Sequence, residues 1–454
     1  MQIDQDCFDQ TRTIVSRLSG EIHVRDGKSI PKPPNLTRDC IDIDALATLL
    51  YSGTIFPPQT IYSNYASVGL GGTLKKTDLG FEYTSVRDLF SATGERMANE
   101  DNEGDCITAL AKSIASQNLD FDNTTLLLSE GKDSTGIALA LAEIGVHVDC
   151  ITFANSDTNI SFIESLAQTL GHRLTVVRYK NFAIQKNTIN RVRRVFEPTV
   201  DQAFLSYLVL PMEQLHGRVI IDGMGNDIYM GHLPTAQQRK ANTVCGTLKH
   251  VVPEKFQDRI RDLFCTDYSS SGLPFRSFTE CQGFFNGFCQ SLVEKSTGGK
   301  PVKLQDLDAN WQAFGYERAR ALSRGRFLDN YSYSGKSIAL AEMLDGRAYF
   351  PWSAPELAKR FLAIPDGERF NWPKTNKLLL RSAITNRIKY AQPKIGFRAP
   401  IKEILSVNRE LVEKVIRESV TLGPGLQSFL LSLKPDSPRL ACGFLYCLWE
   451  HASR

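Results

Sequence analysis

The chain has 454 residues, of which 42% are hydrophobic and 23% charged, a composition typical of folded globular domains. The 53 Lys and Arg residues nearly balance the 50 Asp and Glu residues, which excludes a polybasic nucleic-acid coat. No apolar stretch reaches the ~20 residues of a membrane span, and the polar N-terminus does not resemble a secretory signal. We therefore expect a soluble, cytoplasmic protein that binds neither membrane nor nucleic acid.

Ten cysteines are spread along the chain, and no two of them form a Cys-x-x-Cys pair. Disulfide frameworks belong to short secreted chains, and zinc sites need tighter clusters of ligands. We therefore expect reduced cysteines without a metal-binding role.

The first hundred residues show little regular periodicity. Residues 1–40 include a Pro-rich stretch and predict irregular chain, whereas the short apolar runs of residues 41–84, separated by Pro and Gly, predict a short helix followed by β-hairpins. The polar, acidic tract at residues 98–105 predicts a domain boundary. We therefore expect a small β-rich part at residues 1–100 and one larger domain at residues 101–454.

Strand and helix patterns alternate beyond that boundary. Apolar residues at helical spacing begin at Ile107, and the later part of the chain, from Phe256 onward, predicts mostly helices. Between them the pattern predicts, in chain order, a strand at 124–129, a helix at 134–144, a strand at 146–154, a helix at 161–170, a strand at 174–179 and a strand at 218–222. Such alternation is typical of βαβ units, so we expect an α/β fold with a parallel sheet and flanking helices.

A turn of small and polar residues follows the first of these strands, at residues 129–135. Ligands of such sheets lie at the carboxyl ends of the strands, and N–H groups at a helix N-terminus bind anions. The hydroxyls of Ser129, Ser134 and Thr135 add donors, and Asp133 adds a carboxylate suited to Mg²⁺ on a polyphosphate. On composition alone, a purely structural turn in which Ser134 caps the helix remains an alternative.

Four segments in fixed order resemble the synthetase domain of the asparagine synthetase family, which belongs to the PP-loop ATP pyrophosphatases. They are residues 128–134, similar to the family's SGGxDS loop, residues 222–231, similar to GEGxDE…GG, residues 347–357, similar to ExRxPFLDxxL, and residues 392–400, similar to RxKxGFxxP. Residues 43–74 are similar to the tail of the family's glutaminase half. The resemblance therefore covers roughly residues 41–405, and it implies a PP-loop sheet, a helical C-terminal portion and a truncated, β-rich N-terminal remnant of the glutaminase.

The resemblance implies an ATP- and Mg²⁺-dependent ligase. Such an enzyme adenylates a carboxylate, releases pyrophosphate, and transfers the acyl group to ammonia or an amine with release of AMP. The residues that would bind ATP and pyrophosphate are Ser129, Gly131, Lys132, Asp133, Ser134, Thr135, Gly223, Gly225, Lys377 and Arg381. Asp133 and Asp227 match the metal ligands, and Lys394 matches the catalytic lysine. For Lys377 and Arg381, a solvated basic helix face is an equal alternative.

Several positions depart from the family pattern. Met224 stands where the family has a glutamate, and Glu130 replaces a glycine of the phosphate loop. A methionine cannot move protons, so Glu342 and Asp345 become candidate bases, with an ordinary helix-surface residue as the alternative for Glu342. Glu197 and Asp201 match a family segment near the acceptor site and are candidate substrate contacts.

The front of the chain also departs from the family, because Gln2 follows Met1 where glutamine-hydrolysing members carry a catalytic cysteine. We therefore expect no glutaminase activity. The nitrogen would come from free ammonia, from a separate protein that delivers ammonia or substrate, or from an amine on a small-molecule or peptide substrate, as in macrolactam and β-lactam synthetases. Two other functions remain as alternatives: a tRNA-thiolase-like enzyme and a degenerate, non-catalytic nucleotide-binding partner subunit.

Overall fold

The computed structural model describes residues 2–4, 12–33, 35–69, 71–78, 80–84, 104–155, 159–231, 288, 290–302, 333–371, 374–389 and 399–454. The strands within these ranges are β1 (Gln2–Asp4), β2 (Arg12–Ser16), β3 (Ile22–Arg25), β4 (Tyr65–Val68), β5 (Thr73–Thr77), β6 (Gly80–Thr84), β7 (Thr124–Leu127), β8 (Asp149–Ala154), β9 (Arg173–Arg178), β10 (Val219–Ile221) and β11 (Arg347–Tyr349).

The helices of the same ranges flank these strands and make up most of the described C-terminal part. They are α1 (Ile43–Ser52), α2 (Cys106–Ser116), α3 (Lys132–Glu143), α4 (Ser161–Thr169), α5 (Lys186–Val192), α6 (Phe204–Val209), α7 (Asp227–Met230), α8 (Gln290–Thr297), α9 (Ser334–Met343), α10 (Pro355–Leu362), α11 (Asp366–Arg369), α12 (Leu378–Thr385), α13 (Ile401–Val407), α14 (Arg409–Glu418), α15 (Pro424–Leu431) and α16 (Pro438–Ser453).

Five strands form a parallel sheet in the order β11-β10-β7-β8-β9. Val219 of β10 lies between Thr124 of β7 and Arg347 of β11 in the register of the sheet. The chain builds from β7 toward β9 and then returns to the other side of β7, so the strand order reverses between β7 and β10. In sheets of this kind the crevice at the reversal point is where ligands bind. The predicted α/β fold, with helices on the sheet, is confirmed.

The strand β11 is absent from the sequence-based expectation. It has three residues, and it lies at the edge of the sheet, where a short strand leaves little periodic signal. On its outer side β11 contacts the N-terminal part of the chain, where the Ala348 N–H donates to the Asp26 carbonyl at 2.6 Å. The Arg347 guanidinium pairs with the Asp26 carboxylate at 2.9 Å. The sheet edge is therefore closed by a segment more than 300 residues away in sequence.

The N-terminal part contains two small antiparallel sheets, in the orders β1-β5-β6 and β3-β2-β4. The helix followed by strands that residues 41–84 predict is confirmed. The expectation of irregular chain over residues 1–40 is wrong at β1, β2 and β3. These strands are fixed by pairing with distant partners, such as Gln2 with Lys75 and Thr13 with Val68, which no local pattern reveals.

The N-terminal part shares a hydrophobic core with the larger part of the chain. The Tyr62 ring packs against Phe196, with centroids 5.1 Å apart, and against Trp449, with centroids 6.0 Å apart. The Leu36 N–H donates to the Ser453 carbonyl at 3.3 Å. The predicted boundary near residues 98–105 falls mostly outside the described residues, so the division into residues 1–100 and 101–454 stays a prediction.

Two sequence-based expectations concern cysteines and membranes. The five cysteines in the described ranges are free thiols, and they are Cys40, Cys106, Cys150, Cys442 and Cys447. None of the described helices has the length and apolar character needed to cross a bilayer. A cytoplasmic location stays a prediction.

Candidate active site

Two loops meet at the point where the strand order reverses. One follows β7 and leads into α3, and the other follows β10 and leads into α7. Gly223 makes their close approach possible, because a Cβ at this residue would lie 3.0 Å from the backbone nitrogen of Ser134 and 3.2 Å from the Cβ of Asp133. Gly225 has φ +113°, a conformation that side chains with a Cβ rarely adopt. Both glycines are therefore needed for the shape of the loop.

The loop after β7 is organised by two serine side chains. The Ser134 Oγ accepts a hydrogen bond from the Ser129 N–H at 3.0 Å and lies 3.0 Å from the Ser129 Oγ. The Gly131 N–H donates to the Ser129 Oγ at 3.2 Å. The first N–H groups of α3, including those of Asp133 and Ser134, have no acceptor within the helix. The turn therefore presents backbone donors and the positive end of the α3 dipole at the mouth of the crevice.

Asp133 and Asp227, the predicted metal ligands, are brought together by one ammonium group. The Lys377 Nζ lies 2.6 Å from an oxygen of Asp133 and 2.6 Å from an oxygen of Asp227. It also donates to the Asn226 Oδ1 at 2.7 Å, and the Asn226 Nδ2 donates to the same Asp133 oxygen at 2.7 Å. The four side chains form a cluster, called the acid–lysine cluster below, that joins the two loops to the start of α12.

Lys377 is the most enclosed member of the cluster. Its side chain is 2% exposed, whereas those of Asp133 and Asp227 are 22% and 14% exposed. Burial alone would lower the pKa of the Lys377 ammonium, but the two carboxylates outweigh burial and raise the pKa above its ordinary value. The backbone of Lys377 has φ +54° and ψ +46°, a left-handed conformation that costs a lysine ~1 kcal/mol. The Lys377 N–H, bonded to the Met230 carbonyl at 3.0 Å, helps to hold it there.

The acid–lysine cluster fits Mg²⁺ on a polyphosphate. Both carboxylates point at one position, as their equal distances to the Lys377 Nζ show, and oxygen ligands suit this hard cation. Within the described ranges no group of three or more His, Cys, Asp or Glu side chains could hold a metal. Mg²⁺ in phosphate-binding sites needs only one or two carboxylates, because phosphate oxygens and water complete its shell.

Buried aromatic residues pack and hydrogen-bond around the start of α3, which carries Asp133. The Trp352 indole N–H donates to the Asp133 carbonyl at 2.9 Å. The Tyr229 hydroxyl donates to the Trp352 carbonyl, and its ring stacks on Phe361 with centroids 5.6 Å apart. The Arg369 guanidinium donates to the Tyr229 carbonyl at 2.7 Å. Because Trp352, Tyr229 and Arg369 are buried and linked by these hydrogen bonds, the start of α3 is held in a fixed position.

The remaining predicted phosphate-binding residues lie on the same elements. Lys132 and Thr135 are buried in the first turn of α3. Arg381 lies one turn beyond Lys377, and its Nε donates to the Asn376 carbonyl at 2.9 Å. The alternative of a solvated basic face is wrong for Lys377 because that side chain is buried. Lys394 lies outside the described residues, so its position and role stay predictions.

Glu342 lies in a different environment from the acid–lysine cluster. The alternative that it is an ordinary surface residue of α9 is wrong, because its side chain is fully buried. The Arg25 Nε donates to one carboxylate oxygen at 3.0 Å, and the Phe196 N–H donates to the other at 3.0 Å. Burial alone would lower the pKa of the Arg25 guanidinium, but the carboxylates of Glu342 and Glu197 outweigh it and raise the pKa. A role of Glu342 as a base stays a prediction, while its observed partners are structural.

Glu197 belongs to the same ionic cluster as Glu342. One oxygen pairs with both Arg12 and Arg25, and the other accepts the Ile61 N–H at 3.1 Å. Both oxygens are thus engaged by the N-terminal part of the chain. The four side chains Arg12, Arg25, Glu197 and Glu342 are called the buried ionic cluster below. Glu197 as a substrate contact stays a prediction, and the partners observed here are structural.

Met224, which replaces the family glutamate, and Asp201, the other candidate substrate contact, lie in different surroundings. Met224 is half-buried and packs against the hydrophobic core, and its N–H donates to the Asp222 carboxylate at 3.2 Å. Asp201 is buried, accepts the Ala203 N–H at 2.9 Å, and lies 3.5 Å from the Lys336 Nζ. Asp201 as a substrate contact stays a prediction.

Sequence reasoning missed Asn226 and Trp352 as members of the site, and Arg25 as the partner of Glu342. Asn226 carries one weak signal, because an amide directly before a predicted metal ligand can bridge neighbouring charges. Trp352 lies inside a segment that resembles the family but was not assigned a contact. Arg25 carries no signal, since 317 residues separate it from Glu342.

Comparison with known proteins agrees with the geometry of the crevice. A search of curated proteins finds no match to this chain. The sequence profile of the asparagine synthase family matches residues 107–431, which include both loops, the acid–lysine cluster and Glu342. The family uses ATP, generally with Mg²⁺, and its chemistry supports an ATP-dependent ligase of the asparagine synthetase type. Because the match covers more than two thirds of the chain, the protein belongs to the asparagine synthase family.

Proposed function

We propose that the protein is an AMP-forming ligase that joins a carboxylate to ammonia or an amine. In the first step a carboxylate oxygen of the acid attacks the α-phosphorus of ATP, and the bond from that phosphorus to the bridging oxygen of pyrophosphate breaks. In the second step the amine nitrogen attacks the acyl carbon, the carbon–oxygen bond to AMP breaks, and the nitrogen loses a proton. The proposal rests on the positions of Asp133 and Asp227. These two carboxylates lie together at the point where the strand order of the sheet reverses, in a chain that belongs to the asparagine synthase family.

The residues of the crevice supply separate parts of this chemistry. The loop of Ser129, Gly131 and Ser134 would bind the pyrophosphate through backbone N–H groups and hydroxyls. Asp133 and Asp227 would hold Mg²⁺, which neutralises the charge of the leaving pyrophosphate when bound. Lys132, Thr135, Lys377 and Arg381 would contact phosphate oxygens, and Lys394 would stabilise the charge that develops during acyl transfer.

Release of pyrophosphate tests the proposal directly. Purified protein is supplied with Mg·ATP, ammonia and a panel of acids that includes aspartate, and pyrophosphate and AMP are measured. Asp133→Asn and Asp227→Asn should each lower pyrophosphate release by at least about 100-fold, since each removes a ligand of the Mg²⁺ that would neutralise the leaving group. Asp122→Asn, at an exposed aspartate before β7, is the matched control and should keep wild-type activity.

The outcome of the acid panel identifies the reaction. Pyrophosphate released with aspartate and ammonia indicates an asparagine synthetase that uses free ammonia. Release only with an acid that carries its own amine indicates a macrolactam- or β-lactam-type synthetase. If folded protein binds Mg·ATP but releases no pyrophosphate with any acid or amine, the ligase proposal is contradicted and a non-catalytic nucleotide-binding subunit is favoured.

A further inference from the structure

Three oxygen atoms of the acid–lysine cluster surround the Lys377 ammonium. An ammonium group has three donors and no acceptor. The Lys377 Nζ donates to an oxygen of Asp133 at 2.6 Å and to the Asn226 Oδ1 at 2.7 Å, and it forms an ion pair with an oxygen of Asp227 at 2.6 Å. The cation therefore occupies the point toward which both carboxylates are directed, and the proposed function assigns these same carboxylates to Mg²⁺.

A divalent cation on both carboxylates cannot share that point with the ammonium. Mg²⁺ binds oxygen at about 2.0–2.1 Å, a shorter distance than any of the three contacts of the Lys377 Nζ. The two cations would thus overlap or lie within a few ångströms of each other. Since the Lys377 side chain is only 2% exposed, water would screen their repulsion weakly. Metal binding by both carboxylates requires the ammonium to move away.

The main chain of Lys377 is held by two hydrogen bonds, so only its side chain would have to move. The Lys377 N–H bonds to the Met230 carbonyl at 3.0 Å, and the Lys377 carbonyl accepts the Arg381 N–H at 2.9 Å. The lysine side chain has four rotatable bonds, and rotation about them would let the ammonium leave a carboxylate oxygen for a phosphate oxygen. Phosphate oxygens are strong acceptors for lysine, and the first turn of α3, where a phosphate would bind, begins at the residue next to Asp133.

We propose that Lys377 is an internal cation that holds Asp133 and Asp227 together and keeps divalent metal off them until a polyphosphate draws its ammonium away. The metal then binds only together with the nucleotide. This inference rests on the proposed role of the two carboxylates as metal ligands. It assigns Lys377 a positioning role before the reaction, in addition to contact with phosphate during it.

Binding of Mn²⁺, followed by the electron paramagnetic resonance signal of the free ion, tests the inference without measuring activity. The variant is Lys377→Met, which removes the charge and keeps much of the length. The matched control is Lys374→Met, at an exposed lysine three residues earlier. Without nucleotide, K377M should bind Mn²⁺ at least tenfold more tightly than the wild type or K374M. The gain should disappear in K377M with Asp133→Asn, because the metal then lacks a carboxylate.

Two comparisons separate the inference from the proposed function. Because the nucleotide itself chelates Mn²⁺, α,β-methylene-ATP without protein is the baseline. The wild type should lower the free-ion signal below this baseline, and failure to do so contradicts the proposed metal role of the carboxylates. If the wild type takes up Mn²⁺ with the nucleotide but K377M shows no gain without it, the proposed function stands and the inference is overturned.

Thermal unfolding gives a second readout if K377M is poorly folded. Removing the ammonium leaves two carboxylates facing each other, so K377M should have a lower Tm than K374M in metal-free buffer. Because the metal replaces the missing cation, Mn²⁺ should raise the Tm of K377M by several degrees more than that of the wild type. An equal response of the two proteins to Mn²⁺ would overturn the inference.

Discussion

Replacing Glu342 by Gln removes one negative charge from the buried ionic cluster. The wild-type cluster contains two guanidinium groups and two carboxylates and is electrically neutral, with Arg25 4% exposed and Glu342 fully buried. E342Q leaves a net charge of +1 in this enclosed place. Breaking a buried pair by removing one partner costs about 3–5 kcal/mol, and the lower end applies here because Arg25 keeps its contact with Glu197 at 3.0 Å.

Urea unfolding measures this loss. With a slope of about 3 kcal/mol per molar urea, a loss of ~3 kcal/mol lowers the midpoint by about 1 M. Glu403→Gln, at an exposed glutamate of α13, is the matched control and should change the free energy of unfolding by less than about 0.5 kcal/mol.

A double-mutant cycle with Arg25→Met gives the sharper test. R25M alone leaves a net charge of −1 in the cluster, whereas R25M combined with E342Q restores neutrality. The double variant should therefore be more stable than the sum of the single losses predicts, by at least about 1 kcal/mol. Additive losses, or an E342Q variant with wild-type stability and no pyrophosphate release, would refute the structural role and favour Glu342 as a base.

Two further predictions concern a buried histidine and the contact between the two loops. His172 accepts the Val148 N–H at its Nδ1, at 3.3 Å, and burial lowers its pKa, so the neutral ring is favoured in the folded state. Its contribution to stability is fully present above pH ~6.5, the unfolded pKa, and is lost as the pH falls toward the lower folded pKa. Urea midpoints at pH 7.5 and 5.5 should differ more for the wild type than for His172→Gln; equal differences would contradict the assignment. Gly223→Ala should lower pyrophosphate release about tenfold, because the new Cβ would push Ser134 away by a few tenths of an ångström, whereas Gly367→Ala, which has open space around it, should leave the rate unchanged. Equal rates for both alanine variants would show that the loops need not approach so closely.

The parts of the fold that could be predicted are those with strong local patterns. The strands β7, β8 and β10 are short apolar runs, as expected for strands covered on both faces, and each precedes polar residues at the end of the sheet. The two loops of the crevice could be found because their residues resemble a family, and because parallel strands place their carboxyl ends on one edge. At these positions the structure predicted from the local sequence is the same as the structure that the tertiary contacts produce.

What could not be predicted depends on distant partners. The strands β2 and β3 contain basic residues, and the burial of Arg12 and Arg25 follows from their contacts with Glu197 in the larger part of the chain. Glu342 has the sequence context of a surface helix, yet Arg25 makes its burial possible. The role of Lys377 as the centre of the acid–lysine cluster likewise depends on two loops that are about 150 and 240 residues away. Ion pairs between residues far apart in the sequence leave no periodic pattern, so no local rule identifies which charged residues pair.

The contacts between the N-terminal part and α16 set an order for folding during synthesis. Tyr62 packs on Trp449, and Leu36 is hydrogen-bonded to Ser453, so these two residues reach their partners only after α16 has been made. At about 5–20 residues per second, the ribosome needs roughly 20–80 s to make the intervening chain. During that interval Tyr62 and Leu36 lack these partners. Chaperones that bind the nascent N-terminal part are therefore expected to raise the yield of folded protein.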